Sequence, residues 1–172
     1  GKGNYLKNSF INGLKWAIER QVDVINLSFF ISRISTDKQI IDLLNKANEA
    51  NIIVVAAAGE NSILEESSGG FYYPAMFDQC ISVGGVNDEF QKDAPNAIFS
   101  QHLDFIMPMN EIVSCGNFEN LYIEKEGSSM STAFVSGLIC LIKANAKNPK
   151  SMGLKSVKEQ LNKMAQVIES NT

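Results

Sequence analysis

The chain has 172 residues, 45% of them hydrophobic and 20% charged, with a net charge of -4 and a pI near 5.0. That length suits one domain, residues 1–172, with a single sizeable core, and the composition is that of an ordinary soluble globular protein. The acidic balance and scattered lysines leave no basic footprint for nucleic acid, and no segment reaches the roughly 18 unbroken apolar residues of a membrane span.

Taken in chain order, the elements alternate. Phe10, Leu14, Ala17 and Ile18 recur at helical spacing from Ser9 to Arg20, and "VDVINLSFFI" then gives a β-branched apolar run of strand length. Thr36-Asp37-Lys38-Gln39 has the spacing of a capping box, followed by Ile40, Ile41, Leu44 and Ala47 on one helical face as far as Ala50. "NIIVVAAAG" reads as a buried strand. Beyond the polar stretch Glu60 to Gly70, shorter strands are expected at Cys80 to Val86, Asp104 to Met107, Ile112 to Cys115 and Leu121 to Glu124. From Ser129 to Ala144 the residues are apolar nearly all round, which predicts a helix buried in the core. A last helix is expected to start at the box Ser156-Val157-Lys158-Glu159, with Val157, Leu161, Met164 and Ile168 along one stripe. Apolar strands separated by amphipathic helices predict an α/β fold of three layers, a mostly parallel sheet with helices on both faces.

Such sheets bind ligands beyond the carboxyl ends of their strands. Cys80, Cys115 and Cys140 are odd in number and lie at no CxxC spacing, so free thiols are expected. With His102 as the single histidine, a zinc site has little to be built from, and no metal or other cofactor is expected. The chain opens Gly-Lys-Gly, with neither an initiator Met nor a signal-peptide pattern, as a processed or cut piece would.

"KEGSSMSTAFVSG", Lys125 to Gly137, sets two serines between a glycine and a long apolar run. Ser128 or Ser129 reads first as a helix N-cap. A serine in the first turn of a buried helix also sits in the positive field of the helix N-terminus, which suits an oxyanion. Both readings stay open on this stretch alone.

Five segments in collinear order, from Val22 to Gly137, resemble the subtilisin-like serine proteases, the subtilases. "VDVINLSFF" resembles the family strand DVINMSLGG, and "IIVVAAAGEN" is similar to the strand ending in AAAGN. "FYYPAMFDQCISVGGV" resembles the YPA stretch and its following strand, "FSQHLDFIMP" the FS…LDVMAPG stretch, and "GSSMSTAFVSG" the nucleophile motif GTSMAxPHVxG. The resemblance implies a subtilisin-like fold and a serine endopeptidase acting on a peptide or protein substrate. It places the nucleophile at Ser129, and the substrate-binding strands at Ser28, Phe29 and Phe30 and at Ala57, Ala58 and Gly59. In that family the catalytic Asp and His precede the "VDVINLS" strand. This chain carries neither motif, and His102 falls in a stretch that is structural in the family.

Three departures weaken the site that the resemblance implies. The Asn donor of the oxyanion site falls on Glu60, next to Asn61, and loss of that donor in this family costs about 2.7–4 kcal/mol. Phe29, Phe30 and Ile31 follow Ser28 where the family has Leu-Gly-Gly, although at Phe29 and Tyr73 core packing is the favoured reading. Tyr72 stands where the family often has a glycine at the base of the specificity pocket. Two functions therefore follow: part of a serine endopeptidase whose Asp and His lie outside this chain, or a pseudoprotease, a subtilase-fold binding or scaffold module without proteolysis. In either case the fold is expected to be truncated on its N-terminal side. One edge of Val22 to Ser28 is then left to pair with the N-terminal portion of the domain or with a second copy.

Overall fold

The computed structural model describes residues 2–31, 36–59, 73–86, 103–117 and 121–166. Helix α1 (Lys2–Glu19) leads into strand β1 (Val24–Leu27), α2 (Lys38–Glu49), β2 (Ile53–Ala57), β3 (Cys80–Val86) and β4 (Phe105–Pro108). A hairpin of β5 (Ile112–Cys115) and β6 (Tyr122–Lys125) precedes α3 (Ser128–Ala144), a 3-10 turn at Pro149–Ser151 and α4 (Leu154–Met164). Strands β1 to β4 form one parallel sheet in chain order, and β5 and β6 pair antiparallel.

Alternation along β2 explains why the sheet is covered twice. Ile53 and Val55 face Val135 and Ile139 of α3 and Val157 and Leu161 of α4. Val54 and Ala56 face Phe10 and Leu14 of α1 and Ile40 and Leu44 of α2. A strand with apolar residues on both faces needs a layer on each, and the expected three-layer α/β sandwich is the result. The strand expected over Val22 to Ile31 keeps its pairing to β2 only from Val24 to Leu27. Asp23 O accepts the Ile53 N–H at 3.1 Å, so alternation aims the backbone groups of Val24 and Asn26 away from β2. Among the described residues β1 is an edge strand.

Three helix expectations change. The cap of α2 is Asp37 rather than Thr36: its carboxylate accepts the Ile40 N–H at 3.2 Å and pairs with Lys7, and that hydrogen bond from Lys7 holds its pKa below the ordinary value. Helix α4 begins at Leu154 behind Gly153, and Ser156 lies inside its first turn, donating to Gly153 O at 2.9 Å. Ile168 lies outside the described residues. Helix α3 is not buried all round. Its buried stripe is Ser128, Ser131, Thr132, Val135, Ser136, Ile139 and Lys143, while Phe134 and Leu141 are 45% and 62% exposed.

Lys143 pins the far end of α3. Its ammonium is buried and donates to Asn51 O at 2.8 Å and Met152 O at 3.2 Å, tying the helix to the loop before β2 and to the segment before α4. Desolvation pushes its pKa below the ordinary 10.5. In the window below 10.5 the unfolded chain therefore holds more protons at this site, and the site's contribution to stability rises with pH. Lys143→Met should cost about 1–3 kcal/mol in urea unfolding through its orphaned carbonyl partners. The gap between wild type and variant should widen as pH is raised toward 10.5. A gap that narrows would contradict the burial.

Candidate active site

Three parallel strands deliver their carboxyl ends to the first turn of α3. Gly127 makes the approach. Its φ of 118° and ψ of 161° lie where only glycine is comfortable, and its N–H donates to Met109 O, just past β4, at 2.8 Å. Gly127 is also the N-cap, with no side-chain cap bond, so the expectation that Ser128 or Ser129 caps this helix is overturned. Both serines lie inside the first turn and reach to other elements.

Ser128 is 1% exposed, and its Oγ accepts the Gly59 N–H at 3.2 Å, joining the helix start to the end of β2. Thr132 Oγ1 donates to Ser128 O at 2.7 Å, and Ser131 Oγ lies 3.1 and 3.0 Å from Met107 O and Pro108 O at the end of β4. Ser129 is half-buried and faces the end of β1. Its Oγ donates to Ser28 O at 3.3 Å, and Ser28 Oγ donates back to Ser129 O at 3.0 Å. The Ser129 amide sits at the positive end of the helix dipole, where the first N–H groups have no partner within the helix. A negative charge that formed beside this hydroxyl would lie in the favourable field of those donors.

Of the residues expected at the site, Ser129, Ser28 and Gly59 come together here. Ala57 and Ala58 are buried at the end of β2, with the Ala58 N–H on Val83 O at 2.8 Å. Phe29 and Phe30 lie beyond Ser28 and are 43% and 48% exposed. Core packing, favoured for Phe29 from the sequence, is seen among the described residues as an edge contact with Phe10, ring centroids 5.7 Å apart. Tyr73 does pack on the core, tilted against Phe77 at 4.7 Å. Glu60, Asn61, Tyr72 and His102 lie outside the described residues. Asp104 is committed elsewhere: its carboxylate accepts the Ser82 N–H at 2.9 Å and pairs with Lys158 at 2.7 Å.

Sequence reasoning missed Asn26, Ser131 and Ser136. Ser128, Ser131, Thr132, Val135, Ser136, Ile139 and Lys143 follow helical spacing, and that period was the available signal, carried mostly by polar residues.

The sequence matches the subtilase family over residues 1–171. The chain belongs to the subtilase family. Subtilisin DY of Bacillus licheniformis is 34% identical over 143 residues, covering 83% of this chain and 49% of its own. Subtilisin E of Bacillus subtilis (strain 168) is 38% identical over 146 residues, 83% of this chain and 35% of its own. The major intracellular serine protease of the same strain is 30% identical over 145 residues, 84% of this chain and 43% of its own. This subtilase chain thus spans half or less of the length of these relatives. In fold it is similar to the solved prenylagaramide maturation protease PagA, with a TM-score of 0.73 and 18% identity over 93% of this chain and 58% of that one.

Gly127→Ala tests the approach to the site. A Cβ at this backbone conformation should cost about 1–3 kcal/mol. Urea unfolding measures it, and a loss under a few tenths would mean that the turn before Ser128 is not held as described.

Proposed function

We propose that this chain supplies the nucleophile of a subtilisin-like serine endopeptidase, with Ser129 attacking the peptide carbonyl. The observation that carries the reading is the seat of Ser129: the first turn of α3, at the joined ends of β1 and β2, with its hydroxyl on a backbone carbonyl. In the attack Oγ bonds to the carbonyl carbon, its proton passes to a histidine base, and the C=O electrons move onto oxygen facing the helix N-terminus. The histidine and its aspartate would come from protein outside these 172 residues. No step here calls for a cofactor.

A second reading, a pseudoprotease that serves as a subtilase-fold binding or scaffold module without proteolysis, is favoured by Phe29 and Phe30. Their exposed rings occupy the surface beyond Ser28 where the resemblance implies that a substrate backbone would lie.

Without its base Ser129 keeps a neutral hydroxyl, and loss of the triad in subtilisin itself lowers the rate by about 2 × 10⁶. The 172-residue chain should therefore not be labelled stoichiometrically by a fluorophosphonate probe, and labelling of Ser129 would overturn the requirement for an outside base. The same probe applied to the full gene product separates the two readings: Ser129 labelled for the endopeptidase, Ser129 unlabelled in the folded protein for the pseudoprotease.

The partner at β1 is proposed to be the remaining portion of the subtilase domain. Support comes from the outward backbone groups of Val24 and Asn26 and from the exposed apolar side of α3 at Phe134 and Leu141. Alone, the chain should self-associate in light scattering as its concentration rises. A monomer whose Val24 and Asn26 amides exchange slowly would show the edge to be covered from within.

A further inference from the structure

The polar groups behind Ser129 form a chain with one direction. Ser136 Oγ donates to Asn26 Oδ1 at 2.8 Å, Asn26 Nδ2 donates to Ser28 Oγ at 2.9 Å, and Ser28 Oγ donates to Ser129 O at 3.0 Å. Ser129 Oγ closes the end by donating to Ser28 O at 3.3 Å. Each hydroxyl has one hydrogen to give, and an amide oxygen can only accept. The order of donors is therefore fixed by which way the Asn26 amide points. Turned over, Asn26 would present its oxygen to Ser28, take the Ser28 hydrogen, and leave Ser129 O without that donor.

Ser136 anchors the Asn26 amide from the helix side, and the orientation in which its hydroxyl donates to Oδ1 is the one that leaves the Ser28 hydrogen for Ser129 O. A mid-helix serine commonly bonds back to the carbonyl four residues earlier, but this hydroxyl leaves its own helix for Asn26 on β1. It is 8% exposed, so little water competes for the bond, whereas Asn26 itself is exposed and would otherwise turn freely.

We propose that Asn26 and Ser136 are positioning residues of the Ser129 site, orienting the Ser28 hydroxyl so that it clamps the carbonyl of Ser129 and holds the first turn of α3 against the end of β1. This rests on the proposed function only in naming Ser129 as the nucleophile.

The test reads the Ser129 carbonyl directly. In ¹³C-labelled chain, loss of a hydrogen bond to a carbonyl moves its ¹³C resonance upfield. Ser28→Ala removes the donor and sets the size of the shift. Ser136→Ala, which frees the Asn26 amide, and Asn26→Asp, which accepts from both serines, should shift Ser129 in the same direction, with the Ile139 carbonyl unmoved as a control for folding. Ser28→Thr keeps the hydroxyl and should restore the wild-type position. Alanine is the best helix former, so Ser136→Ala is expected to fold even if Asn26→Asp does not. A Ser129 carbonyl that moves in Ser28→Ala and stays put in Ser136→Ala overturns the proposal. Because the shift is read without substrate, a Ser129 that never reacts would remove the endopeptidase reading and leave this result standing.

Discussion

The two hydrogen bonds exchanged by Ser28 and Ser129 join the end of β1 to the start of α3, and the rest of the site is arranged around that junction. A parallel sheet sends all its carboxyl ends the same way, and a helix N-terminus has spare N–H groups and a positive field. Setting one against the other leaves carbonyls and amides facing each other across a layer boundary. Ser128, Ser131 and Thr132 complete the pairing: Ser128 accepts from Gly59, Ser131 reaches the carbonyls that end β4, and Thr132 bonds within its own turn. An unpaired buried polar group costs about 1–3 kcal/mol, so these hydroxyls are what lets the helix start sit buried there.

The same requirement accounts for the character of α3. A helix that begins among strand ends must turn polar residues inward, and its bulky apolar residues are left for the other side. Phe134 and Leu141 are exposed for that reason, and Lys143 is buried because the loop carbonyls of Asn51 and Met152 need a donor. The sheet tolerates this because its hydrophobic contacts with α3 are concentrated at Val135 and Ile139.

Much of the fold was legible in the sequence, and the reason is periodicity. "NIIVVAAAG" has no polar residue between its ends, which requires cover on both faces, and the capped run from Lys38 to Glu49 places Ile40, Leu44 and Ala47 on one stripe. Helix starts were less legible because several residues compete for a cap. Asp37 displaced Thr36 by also pairing with Lys7, and Gly127 displaced both serines because the turn into α3 needs a conformation that other residues resist. Position in a motif points to Ser129, Ser28 and Gly59, and helical spacing marks Ser136 as inward-facing, but nothing local marks Asn26 or pairs it with Ser136. They meet 110 positions apart, through tertiary packing alone. Apolar residues nearly all round from Ser129 to Ala144 predict a helix buried on every side, whereas the buried stripe is largely polar and Phe134 and Leu141 are exposed.

Strand ends and helix start form one unit around Ser129, and native-state hydrogen exchange at Gly59 and Gly127 tests this most directly. Their N–H groups donate to Ser128 Oγ and to Met109 O. If the unit is real, both amides open only when α3 opens, and their exchange should be as slow as that of Val135 and Ile139. Exchange at Gly59 and Gly127 as fast as in an unprotected loop, with Val135 and Ile139 still protected, would show that the junction opens by itself and that Ser129 is not held by the ends of the sheet.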